Sequence, residues 1–119
     1  MIKEVVKQEN ELVINSDRGS RAIKFSSKVR TILKFNDSII VMLDYYKEYN
    51  DRNIFRVDEN GNRIWQVSAP DPYNTPEMSS CFTYLGLDAS GKIKAGSMNG
   101  FTYEVDLATG NLLNKKFTK

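Results

Sequence analysis

The sequence predicts an all-β protein: an antiparallel meander of roughly ten short strands in two to two-and-a-half repeated units, forming an open twisted sheet or a sandwich. Three observations predict it. Apolar, β-branched and aromatic residues recur with a period of two in runs of four to eight. Short polar pairs and glycines separate the runs, as hairpin turns require. No segment longer than ten residues keeps the i, i+3, i+4, i+7 apolar spacing of a capped helix.

In chain order, Glu4–Lys7 and Glu11–Asn15 flank a Gln8–Asn10 turn, and Asp17–Ser20 leads into Arg21–Phe25. Val29–Phe35 and Ser38–Tyr46 surround the two-residue turn Asn36–Asp37, a strong hairpin signal. Asn53–Asp58 and Arg63–Val67 flank Glu59–Asn62, and Phe82–Asp88 and Lys92–Met98 flank Ala89–Gly91. Asn99–Gly100 turns the chain into Phe101–Asp106, and Leu107–Gly110 turns it into Asn111–Phe117. Pro76–Ser80 could form one helical turn.

Composition limits the chemistry. The 119 residues suit a single domain spanning 1–119. There is no histidine and only one cysteine, Cys81. The commonest general base, the Ser–His and Cys–His pairs and a structural zinc site are therefore missing. Carboxylate catalysis, lysine chemistry and Mg²⁺ sites stay open, so an enzyme is disfavoured, and no cofactor or metal is expected. No apolar run approaches the ~20 residues of a membrane helix, and the N-terminus is charged from Lys3 onward, unlike a signal peptide. These features predict a cytoplasmic protein with no membrane partner.

Charge is unevenly spread. Residues 1–34 carry a balance of +4, residues 35–80 a balance of −4, and residues 81–119 a balance of +2. The alternation can be ordinary solvation of exposed faces, or an acidic surface that steers a basic partner.

The chain repeats itself. Phe55–Trp65 and Tyr103–Leu113 share Val-Asp, a polar turn and Gly-Asn, so Val57–Asp58 matches Val105–Asp106 and Gly61–Asn62 matches Gly110–Asn111. Extending the match backward sets Leu33 over Leu85 and Phe35 over Leu87. A weaker third copy sets Val5 over Ile32 and Leu12 over Ile39. Four strands in about 40–50 residues is the period of a propeller blade. Lys92–Leu113 resembles the blade repeat of the quinoprotein-type (PQQ-like) β-propellers. The resemblance rests on Ala95–Gly96–Ser97, Gly100, Tyr103–Asp106, Thr109–Gly110 and Leu112–Leu113. It implies blade-like packing units. A closed propeller takes about 4–8 blades, more than this chain holds, so the family's cofactor chemistry is not carried over.

Two motifs read as turns. Asp58-x-Asn60-x-Asn62 resembles the start of a calcium loop, but Arg63 and Ala69 stand where that loop needs its glycine and its bidentate glutamate. Asp106 suits a turn-forming side chain better than a catalytic acid. The blade rhythm breaks twice, at Tyr45–Arg52 and at Ser68–Ser80, the latter holding all three prolines. These breaks carry the candidate partner-binding residues: Asp44, Tyr45, Tyr46, Glu48, Tyr49 and Asp51 in one, and Asp71, Tyr73 and Glu77 in the other. Tyrosine offers rigid, amphipathic contact area, and the carboxylates favour a protein partner with a basic surface. The expectation is a non-enzymatic binding protein resembling the small bacterial immunity proteins, which cover the basic active-site cleft of a nuclease toxin. Alternatives are a module that self-assembles into a propeller-like oligomer, and a nucleic-acid-binding domain using the basic N-terminal third. Nucleic acid is disfavoured by the acidity of the tyrosine-bearing loops.

Overall fold

The computed structural model describes residues 1–44, 52–70 and 81–117. They form eleven strands and, among the described residues, no helix. β1 (Ile2–Gln8), β2 (Glu11–Ser16) and β3 (Gly19–Lys24) make a three-stranded antiparallel sheet. β4 (Val29–Lys34), β5 (Ser38–Leu43), β6 (Ile54–Asp58) and β7 (Arg63–Gln66) make a second sheet. β8 (Phe82–Leu87), β9 (Ile93–Ser97), β10 (Phe101–Val105) and β11 (Leu112–Phe117) make a third. Within each sheet every strand neighbours the next in sequence, so the all-β meander expected from the period-two pattern is present. The one-turn helix considered at Pro76–Ser80 lies outside the described residues.

The middle sheet is packed on both faces, and its residue types follow from that. All six residues of β5, Ser-Ile-Ile-Val-Met-Leu, are buried. A strand buried on both sides loses the apolar–polar alternation of a half-buried one. Alternate side chains point to opposite faces. Ile39, Val41 and Leu43, with Phe55 and Val57, join Leu12 and Ile14 of the first sheet and Phe25 just after it in one apolar cluster. Ile40, Met42, Ile54 and Trp65 join Phe82, Leu85, Ile93, Ala95, Tyr103 and Val105 of the third sheet in another. Three sheets therefore stack in chain order, with the second in the middle.

The strand registers correct two superpositions drawn from sequence. Ile39 pairs with Val57 and faces the first sheet, and Ile93 pairs with Val105 and faces the second. These pairs are equivalent. Lys34 pairs with Ile39 and Leu87 pairs with Ile93, so Ile32, not Leu33, corresponds to Leu85. The β8–β9 turn is longer than the β4–β5 turn, and a one-residue slip sends a strand's side chains to the opposite face. Leu12 and Ile39 likewise face each other across the first interface rather than occupying equivalent places. The first sheet corresponds instead to the last three strands of the other two, because Ile23 and Trp65 play the same part. A methyl group on Gly61 would lie 3.5 Å from Ile23, and one on Gly110 would lie 2.6 Å from Trp65. The last strand of each of the first two sheets thus sets an apolar side chain onto the glycine turn of the following sheet.

The third sheet does not repeat this arrangement outward. Where the middle sheet presents Leu33, Ile40, Met42, Ile54 and Trp65 to its follower, the third sheet carries Gly86, Lys94, Gly96, Thr102 and Leu113. Tyr84 lies across Gly86 and Gly96, filling the space a side chain there would need. Lys94 and Glu104 form an ion pair on the same face at 3.9 Å. That face is built for solvent rather than for a fourth sheet.

Candidate protein-binding end

Hairpin topology places at one end of the stack the connections Glu9–Asn10, 25–28 and 98–100 and the described flanks of 44–53 and 67–81. The flanks of both long connections singled out from sequence leave the sheets at this end. Of the nine candidate partner-binding residues, Asp44 is described. Tyr45, Tyr46, Glu48, Tyr49, Asp51, Asp71, Tyr73 and Glu77 lie outside the described residues.

Asn53 ties the flanks of the two connections together. It is buried, and its side-chain amide donates to the carbonyls of Leu43 at 3.0 Å and Phe82 at 2.9 Å. Its side-chain oxygen accepts the Phe82 amide at 2.9 Å. The Leu43 amide in turn donates to the Asn53 carbonyl at 2.9 Å. One residue therefore joins the exit of β5, the entry of β6 and the entry of β8. A buried amide with all these partners in place rigidifies its surroundings. Arg52 makes a second tie: its guanidinium donates to the Val67 carbonyl at 2.8 Å, and the Gln66 side chain donates to the Arg52 carbonyl at 2.7 Å. Asp44 is half-buried, with its amide donating to the Lys28 carbonyl at 2.6 Å. Met98 closes the far side, its amide bonded to the Cys81 carbonyl at 3.0 Å.

A groove of about 480 Å³ opens beside Ser68 and Ala69, with Tyr103 and residues 111–115 as its other walls. Ser68 is fixed there by a bond from its amide to the Gly110 carbonyl at 3.1 Å. Neither the groove nor the Asn53 staple was read from sequence. An asparagine before a strand resembles any turn residue until its partners, 10 and 29 positions away, are known.

The opposite end is made of turns. The Asp58 carboxylate accepts the amides of Asn60 and Asn62, both at 2.9 Å, which is an Asx turn rather than a calcium loop. Asp88 repeats this with Ser90 and Lys92. The Ser90 hydroxyl and then the Lys92 amide hold the Asp88 carboxyl below its usual range. Asp106 accepts the Thr109 hydroxyl at 2.6 Å, as a turn former does.

Among the described residues no helix is long and apolar enough to cross a membrane. Residues 2–117 match a family model described as a domain of unknown function (DUF7957). No curated protein matches the chain. Among solved structures, the chain is similar to a crystal structure of the computationally designed Ika8 protein, with a TM-score of 0.57 and 14% identity. That likeness covers 99% of this chain and 37% of the designed one, and it concerns the fold alone.

Proposed function

The chain belongs to this DUF7957 family, and on that premise we propose that it is a non-enzymatic protein-binding module. Its contact surface is the end that carries the connections 44–53 and 67–81. The observation that carries the reading is the Asn53 staple, which brings the flanks of both connections to one place. Together the two stretches hold five carboxylates, Asp44, Glu48, Asp51, Asp71 and Glu77, against two side-chain cations, Lys47 and Arg52, and the Arg52 guanidinium is engaged by the Val67 carbonyl. They also hold four tyrosines, at 45, 46, 49 and 73. Rigid aromatic anchors amid negative charge suit a partner with a basic surface, reached quickly through electrostatic steering.

In its sharpest form the reading is an immunity protein acting in the cytoplasm, whose carboxylates stand in for nucleic-acid phosphates in the cleft of a toxin nuclease. The single, buried cysteine fits a reducing compartment. The polar outer face of the third sheet argues against the alternative of a self-assembled ring.

The test pairs capture with inhibition. The tagged protein and a variant with those five carboxylates changed to Asn or Gln are used to capture partners at several salt concentrations. A captured nuclease is then assayed with each form. Salt-sensitive capture lost in the variant, with stoichiometric inhibition by the native chain alone, supports the proposal. Equal capture by both forms removes it, and capture without inhibition removes the immunity reading only.

A further inference from the structure

A second surface lies at the seam between the first two sheets. β1 and β4 are edge strands of different sheets and run antiparallel beside each other. Backbone bonds clamp the seam at both ends: the Ile2 amide donates to the Asn36 carbonyl at 2.7 Å, and the Val29 amide to the Glu9 carbonyl at 2.9 Å. Both strands shift register near one end, at Ile2/Glu4 in β1 and at Val29/Thr31 in β4. The extra residues are Lys3 and Arg30. Each shift frees a carbonyl from the regular ladder, as bulges do, and a lysine from the other strand seats on it. Lys7 donates to the Arg30 carbonyl at 3.4 Å, and Lys34 donates to the Lys3 carbonyl at 3.1 Å.

The result is a near-symmetric pair of exposed ammonium groups straddling the seam. Among the described residues neither Lys7 nor Lys34 has a carboxylate within ion-pair distance, whereas Lys3 is held by Asp17 at 3.5 Å. Between them lie Val5 and Ile32, half-buried and packed on the cluster beneath. Two cations are thus fixed in place, each with donors to spare, on either side of an apolar strip. An ammonium has three N–H groups and only one is used here.

We propose that this seam docks an extended acidic segment of a protein partner, with the sequence pattern acid-x-apolar-x-acid. The spacing carries the choice. Lys34 seats on the Lys3 carbonyl, four positions before Lys7 on β1, which sets the two cations about 13 Å apart along the seam at ~3.3 Å per residue. An extended peptide repeats that distance between carboxylates at i and i+4 and places residue i+2 over Val5 and Ile32. A phosphate backbone offers charges to the lysines but no apolar group for the strip between them.

The test uses the full chain, ¹⁵N-labelled, titrated with an acetylated and amidated Asp-Thr-Val-Thr-Asp peptide at low salt. The expected result is shift changes confined to β1 and β4, with Val5, Lys7, Ile32 and Lys34 among them. The double variant Lys7→Gln/Lys34→Gln, whose spectrum shows the fold retained, should bind roughly tenfold more weakly, as should the native chain given the Asn-Thr-Val-Thr-Asn peptide. The proposal is overturned if the acidic peptide leaves these residues unmoved. It is also overturned if the double variant binds equally, or if a single-stranded oligonucleotide at equal charge binds the seam more tightly than the peptide.

Discussion

Trp65 lies flat on Gly110. A methyl group on that glycine would fall 2.6 Å from the indole ring, whose N–H donates to the Leu107 carbonyl at 2.8 Å. The same relationship, looser, joins Ile23 to Gly61. The two contacts define how one sheet seats on the next, and they differ in how tightly.

That difference predicts unequal costs. Gly110 and Gly61 both have positive φ, at 77° and 86°. Gly61→Ala should cost about 1–2 kcal/mol from backbone strain alone, since its nearest neighbour sits at ordinary contact distance. Gly110→Ala adds a collision with the indole and should cost about 2–4 kcal/mol in total. Denaturant unfolding of both variants measures the gap. Equal values would mean that Trp65 yields without resistance.

Asn53 should be the most sensitive polar position. Asn53→Ala leaves the Phe82 amide and the Leu43 and Phe82 carbonyls without their Asn53 side-chain partner in a buried place, and should cost about 2–4 kcal/mol. Hydrogen exchange of the Phe82 amide should quicken beyond what the loss of global stability explains. A variant as stable as the native chain would show that water replaces the staple.

The outer face of the third sheet predicts a monomer. Light scattering should give the mass of one chain, 13.6 kDa. Restoring the apolar set at Lys94→Ile, Thr102→Ile and Leu113→Trp should produce association that rises with concentration. Native oligomers at micromolar concentration would revive the ring.

The Asp88 turn predicts a pH dependence. Its carboxyl is held below the ordinary range in the folded chain, chiefly by the Ser90 hydroxyl. The turn's contribution is therefore complete above the unfolded carboxyl's pKa and is lost as pH falls through the folded value. Ser90→Ala should move the Asp88 titration up toward the ordinary range in a carbon-detected NMR experiment. An unmoved titration would assign the shift to the backbone amides.

Much of the fold was legible because strand signals are local. Asn36–Asp37 and Asn99–Gly100 mark their hairpins by residue type alone, and the β-branched run Ile39–Leu43 marks a strand, whose burial on both faces the packing then shows. The registers were not legible, because Leu33 and Ile32 are both apolar and only the pairing of Lys34 with Ile39 shows which one matches Leu85. The correspondence of Ile23 with Trp65 escaped for a different reason: it is carried by what each touches, a glycine 38 or 45 positions onward. Of the candidate site, sequence marked the two connections as interruptions, but Asn53 and Arg52 became visible as its anchors only once their distant carbonyl partners were in place.

The most direct test of the binding account is a hydrogen-exchange footprint of the chain with and without its captured partner. The account predicts protection concentrated in residues 44–53 and 67–81, with β8–β11 outer-face amides unchanged. Protection confined to that outer face, with both connections unaffected, would contradict it.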